Sequence, residues 1–342
     1  MTQKGLVQTV CGPVSPEDLG QTLMHEHILF DLTPESRRVP QEDEVVITLE
    51  NVFDVSWRPN DYPGNHRMHD VSVATREIER FGSSGGGTIV EMTIGGLSPA
   101  PEQLRAISRN TGVHIVLGCG FYTEAYQDAE TLSLSVDALT DIMTAQITEG
   151  AWGTSVRCGI IGEIGCSWPL TPFERRSLQA AARTQRKTGA SITVHPGRHP
   201  DAPFEIIDIL DQAGADLSRV IIDHMERTFA RDDEVVALAR RGCVVEYDFF
   251  GIEQSQYWMG VADLPTDWMR IYAIRRLFDE GLSDNVVASH DICTRSRLQS
   301  FGGHGYSHML RNVIPLMRDR GFGDSEISKL LVETPARLLT LT

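Results

Sequence analysis

Apolar residues along the chain gather in short, near-continuous runs: GQTLMHEH, GTIVEMTIGG, VHIVLGCGFY, CGIIGEIGCS, ASITVHPG, RVIIDHME, GCVVEYDFFG and NVVASHDI, eight in all. Unbroken β-branched runs describe strands covered on both faces, as in a parallel sheet sheathed by helices. Between them the spacing turns helical, predicting helices over residues 70–81, 101–110, 135–149, 173–188, 203–213, 232–240 and 265–280. Strand and helix alternating in this way predict a (β/α)8 TIM barrel, with an open doubly wound sheet as the alternative. No linker divides the chain, so residues 1–342 are expected to form a single domain. Residues 33–68, rich in Pro, Arg and Asp, read as a long loop with short helices behind the first strand. The segment DSEISKLLVETPARLLTL reads as two closing helices, the second opened by Pro335.

Composition narrows the function. The 41% apolar and 23% charged content is ordinary for a globular protein, and no apolar run approaches the roughly 20 residues of a membrane helix. The formal charge of -16 argues against nucleic acid or an anionic membrane as the partner, since both are bound through excess Lys and Arg. The start, MTQKGLVQTVCGPVSPEDLG, carries no export-like pattern, so a cytoplasmic setting is expected. Six scattered cysteines without a C-x-x-C pair are read as reduced and mostly buried.

Functional side chains of such a barrel sit at the C-terminal ends of its strands. There the sequence places His25 and His27, Glu163, His195, His224, and Asp291 beside His290. Residues i and i+2 of a strand share a face, so His25 and His27 can both enter the barrel mouth while Glu26 points away. A lone histidine behind an apolar run is more often structural. Five strand ends that all finish in imidazole or carboxylate are a different matter, because these are the ligands zinc and similar divalent metals prefer. The count exceeds what one ion takes from protein and predicts a pair of divalent ions bridged by Glu163. Zinc is the first choice, with Mn, Fe or Co as alternatives.

The motifs TLMHEHI, GIIGEIG, TVHPGR, SHDI and GGHGYSHM, in this order, resemble the phosphotriesterase family of the amidohydrolase superfamily, and within it the phosphotriesterase-related branch. The resemblance runs from about residue 5 to the C-terminus. It implies that His25, His27 and Asp291 bind the more buried metal, that His195 and His224 bind the more exposed one, and that Glu163 bridges both along with a hydroxide. Organophosphate-hydrolysing members use a carbamylated lysine as the bridge. This chain has no Lys in the fourth strand, the nearest being Lys187, which argues against efficient phosphotriester hydrolysis.

The activity so implied is metal-dependent hydrolysis of a carboxamide, N-acetyltaurine or a related N-acyl amino compound, with the bridging hydroxide as nucleophile and Asp291 as the catalytic acid-base group. The alternatives are a lactonase acting on sugar or phosphosugar lactones, a phosphotriesterase or esterase, and a non-catalytic binding protein. An anionic small-molecule substrate would suit Arg198, Arg295 or Arg297, while Tyr122, His304 and Tyr306 are further candidates for the pocket wall. His290, adjoining Asp291, should point the opposite way. His66, His69, His114, His199 and His308 are expected in surface or structural roles, and Cys166 and Trp168 in packing. A homodimer is plausible by base rate.

Overall fold

The computed structural model describes residues 4–33, 46–254, 257 and 263–342. Part of the loop expected over 33–68 therefore lies outside the described residues. Eight strands form one parallel sheet, in chain order around the ring: Gln21–Glu26 (β1), Gly86–Glu91 (β2), His114–Cys119 (β3), Ile160–Gly165 (β4), Ile192–His195 (β5), Val220–Ile222 (β6), Val244–Tyr247 (β7) and Val286–Ala288 (β8). The crossovers carry helices Val71–Ser83 (α1), Pro101–Thr111 (α2), Val136–Thr148 (α3), Pro172–Thr188 (α4), Ala202–Gln212 (α5), Asp232–Ala239 (α6) and Asp267–Asp279 (α7), each close to its predicted span. The result is a (β/α)8 barrel.

Two apolar layers explain the unbroken runs. Met24, Val90, Val116, Ile160, Ile221, Val244 and Val287 fill the inside of the ring, while residues such as Ile89, Ile115, Ile161 and Ile192 face the helices. A hairpin of Val7–Thr9 with Gly12–Val14 and the C-terminal Leu338 and Leu339 cover the lower end. Both faces of each strand are dry, so alternation has no physical basis.

The seam between β8 and β1 is closed by a side chain. Glu26, expected to point away from the mouth, does so: its Oε1 accepts from Ser289 Oγ (2.8 Å) and the His290 amide (3.0 Å) and lies 2.7 Å from His290 Nδ1. Oε2 accepts from the Ile292 amide at 3.0 Å. One buried carboxylate thus gathers the donors at the end of β8 and holds them against β1.

The C-terminal reading needs correction. Asp324–Leu339 runs without a break, as an α-turn, a wide π-turn at Lys329–Glu333 and a final α-helix, where two helices were expected. Pro335 follows the wide turn, and Pro315 follows a second one at Met309–Val313. A proline lacks the N–H for an interior helical bond and crowds the carbonyl one turn back; widening the preceding turn relieves both without ending the helix.

Replacing Glu26 with Ala leaves these buried donors without an acceptor, a loss of about 2 kcal/mol or more. The expected outcome is a thermal midpoint several degrees lower in calorimetry; an unchanged midpoint would show that the seam does not depend on this carboxylate.

Candidate metal centre

The candidate ligands reach the barrel mouth by different local devices. His25 lies within β1 and His27 one residue beyond it, both on the inner face. Glu163 follows Gly162, whose φ is +111° and whose Cβ, if present, would stand 2.1 Å from the Thr193 carbonyl oxygen. Only glycine lets β4 approach β5 this closely and swing Glu163 toward the axis. His195 ends β5. His224 and Asp291 lie past the ends of β6 and β8 in left-handed conformations, with φ of +60° and +49°. That backbone state costs a residue with a Cβ about 1–2 kcal/mol and persists where the surroundings impose it. Here Asp248 accepts from the His224 amide (3.2 Å) and lies 2.8 Å from its Nδ1, while the Asp291 amide donates to the His25 carbonyl at 3.1 Å.

Glu163 divides the cluster. Its Oε1 is 3.6 Å from His25 Nε2 and 3.3 Å from His27 Nε2, and those two nitrogens lie 3.8 and 3.4 Å from Asp291 Oδ1. Its Oε2 is 3.0 Å from His195 Nδ1 and 3.6 Å from His224 Nε2, which are themselves 2.9 Å apart. Ligands about 2.1 Å from a tetrahedral ion stand roughly 3.4 Å from one another, so each half of the cluster has the spacing of a coordination shell. His25 adds a further indication, since both of its ring nitrogens are buried without a hydrogen-bond partner among the described residues. A buried polar atom without a partner is costly, and a divalent cation supplies one. The donors fit such an ion.

Charge favours the same reading. Burial pushes the Glu163 carboxyl up, but the surrounding imidazoles outweigh it and hold the group well below the usual carboxylate range, so it is ionised. Burial and then the positive charge of Arg227 hold His195 well below its ordinary value, which keeps the neutral imidazole that a metal requires. Burial opposes protonation of His27, yet Asp291 and Glu163 draw its value up to about 9, a proton that a divalent cation replaces. The far nitrogen of His27 is tied down, with Nδ1 3.0 Å from Thr93 Oγ1, while His25 Nδ1 only approaches Asp223 and Asp248, at 3.5 Å each.

The sequence profile of the phosphotriesterase family matches residues 5–339. This chain belongs to the phosphotriesterase family. It is 42% identical to the N-acetyltaurine hydrolase of Xenopus tropicalis over 98% of both chains. Among solved structures it resembles a resiniferatoxin-binding protein from Rhodobacter sphaeroides, with a TM-score of 0.91 and 34% identity over 98% of this chain and 95% of that one. It also resembles the Escherichia coli phosphotriesterase homology protein, with a TM-score of 0.78 and 27% identity over 94% of this chain and 99% of that one.

In this family member a cavity of about 800 Å³, counting its open mouth, lies over the centre. Of the six predicted ligands, all but the deeply buried His25 line it, as do Tyr122 and Arg198. The other predicted wall residues do not. Tyr306 is buried and donates to the His27 carbonyl at 2.7 Å, bracing a candidate ligand from behind. Arg297 donates to the Asp291 carbonyl (2.7 Å) and to Cys293 Sγ (3.3 Å). Arg295 lies over the Phe301 ring, and His304 faces a neighbouring cavity with Gly251 and Arg297. Loop 8, after β8, is directed by its own internal bonds and by bonds to Glu26 and His27, which turn these side chains sideways.

Two placements depart from expectation in the other direction. His66, read as surface or structural, lines the cavity, and so does Arg227, whose sequence context carries no signal beyond a charge in a loop. Trp168 is partly exposed and stacks on His199, with ring centres 4.7 Å apart, where packing inside the fold was expected. His290 does face away, toward Glu26, and the six cysteines are free, four of them buried.

Asp248 reaches histidines of both halves, so its loss loosens both. Asp248→Asn is expected to lower metal affinity ~10- to 100-fold, the usual effect of losing an orienting partner. Metal retained after challenge with a chelator, read by elemental analysis, checks this; wild-type retention would refute it.

Proposed function

We propose that this chain is a metal-dependent hydrolase of a carboxamide, with N-acetyltaurine or a closely related N-acyl amino compound as substrate and residues 1–342 acting as one domain. The observation that carries this reading is Glu163, whose two oxygens each face a separate pair of histidines. His25, His27 and Asp291 hold one divalent ion, His195 and His224 hold a second, and Glu163 serves both; zinc is the preferred ion. The 42% identity with an N-acetyltaurine hydrolase supplies the substrate class. Bound ions of this kind polarise a carbonyl and lower the pKa of water toward neutrality.

The side chains account for the rest. Hydrolysis joins the oxygen of water to the amide carbon and breaks the C–N bond, and the departing amine must be protonated because an amide anion is too basic to leave. Asp291 turns Oδ1 toward the two histidines and also lines the cavity, which leaves Oδ2 as the atom to take a proton from water and return it to the nitrogen. Burial raises this carboxyl, but the hydrogen bond from His27 and the charges of His25, His224 and His27 outweigh it and hold it at about 2, so it begins as a base. Tyr122, with its hydroxyl 3.4 Å from His195 Nδ1, stays protonated because burial and then Glu163 raise it well above its ordinary value. It can donate to a bound substrate.

Metal-loaded protein is expected to release taurine and acetate from N-acetyltaurine, with sugar lactones and paraoxon turned over far more slowly; turnover confined to lactones would overturn the amidase reading. Chelation should abolish the activity and added Zn should restore it. Asp291→Asn is expected to lose at least ~100-fold in turnover, the scale of general acid-base catalysis, while its circular dichroism stays that of the wild type.

A further inference from the structure

The cavity wall carries two guanidinium groups with no counter-ion. Arg227 is 4% exposed; its Nη2 donates to the Pro196 carbonyl (2.8 Å) and lies 3.2 Å from His195 Nε2, neither of them an anion. Arg198 stands three residues past His195. Neither has a carboxylate partner among the described residues, and the Nε of each is buried without a hydrogen-bond partner. The only acids among the described lining residues are Glu163 and Asp291, both in the candidate ligand set. Elsewhere in this chain Arg270 is paired with Glu226 and Asp267, and Arg275 with Glu326, while the buried Arg219 is held by the carbonyls of Arg337, Leu338 and Thr340. Burying a cation without an anion is costly, so an unpaired pair in a solvent-reached cavity marks a place where a ligand supplies the charge.

Local geometry holds the pair there. A Cβ on Gly197 would stand 2.6 Å from the Ser167 carbonyl group, so the HPGR segment is pressed against the loop after β4 in a way only glycine permits, and this fixes where Arg198 begins. Arg227 sits in the short helix Met225–Thr228, which starts from the left-handed turn at His224. Both therefore approach from the His195 and His224 side, with Arg227 one imidazole ring away from the Nδ1 atom that faces Glu163.

We propose that Arg198 and Arg227 form a subsite for an acid group of the substrate, a sulfonate or a carboxylate carried on the amine side of the scissile amide. Guanidinium groups suit such planar or tetrahedral oxyanions because they offer paired N–H donors. The substrate class is then short N-acyl aminosulfonates and N-acyl amino acids, and neutral amides of the same size are poor substrates. The inference rests on the amide-hydrolase reading above.

The test compares N-acetyltaurine with N-(2-hydroxyethyl)acetamide, in which a hydroxyl replaces the sulfonate. In Arg198→Ala and Arg227→Gln proteins, each checked for wild-type metal content, the preference for the anionic substrate in kcat/KM is expected to fall ~10- to 100-fold, mainly through KM. An unchanged preference would overturn the subsite. Titration calorimetry of ethanesulfonate into metal-loaded wild-type and Arg198→Ala proteins separates the two readings. Arginine-dependent binding without N-acetyltaurine turnover would sink the amidase reading and leave the anion subsite standing. N-acetyltaurine turnover with ethanesulfonate binding equally well to both proteins would sink the subsite alone.

Discussion

A carboxylate buried among four imidazoles is the constraint around which this barrel is arranged. Glu163 is 2% exposed, and an ionised group at that depth is tolerable only if positive charge surrounds it closely. Four other strand ends supply the surroundings, and two of them, at His224 and Asp291, adopt backbone conformations that side-chain-bearing residues avoid. The strain is local and the compensation is not. Asp248, from the loop after β7, holds the backbone and the ring of His224, while the carbonyl of His25 holds the amide of Asp291. The site is therefore a ring of mutual supports, and no ligand is positioned by its own strand alone.

The same logic extends outward from the ligands. Tyr306 holds the carbonyl of His27, Arg297 that of Asp291, and Glu26 gathers the amides on either side of Asp291. Three buried polar side chains from β1 and loop 8 thus fix the seam where the first and last strands meet. Strands β1 and β8 share no ladder register among the described pairs, and the seam is held by the Glu26 carboxylate together with the bond from the Asp291 amide to the His25 carbonyl. A barrel closed in this way makes its candidate metal site and its seam one structural unit, because the residues that close it adjoin the candidate ligands.

The fold and the clustering of the candidate ligands were legible in the sequence for one reason. Strands dry on both faces write unbroken apolar runs, and a polar residue that ends such a run is a candidate to face the mouth. That rule placed His25, His27, Glu163, His195, His224 and Asp291. It was silent on Glu246, a buried acid inside β7 with no spacing signature, and it passed over Asp223 and Asp248, one residue past β6 and β7; all three gather with His25 beneath the centre. Arg227 was invisible for a related reason: in sequence it is a charge in a loop, and only the turn at His224 carries it inward. Arg295, Arg297, His304 and Tyr306 share a loop that could have faced the cavity, and its direction depends on long-range bonds to β1 that no local pattern records. Pro335 misled differently, since a proline can be absorbed by a widened helical turn as readily as it can start a new helix.

Charge ties these layers to the substrate. The chain as a whole carries a formal charge of -16, so its surface repels anions at long range. Inside the cavity the balance reverses. With the two divalent ions proposed here, four positive charges face the two carboxylates of Glu163 and Asp291, leaving about two positive charges before Arg198 and Arg227 add two more. A cavity of that sign, walled by low-dielectric protein, would concentrate its field at the mouth and favour the small anionic ligands proposed above. The selectivity proposed here for a compact anionic amide would then be a property of the whole charge distribution, of which Arg198 and Arg227 are the proposed contact with the ligand.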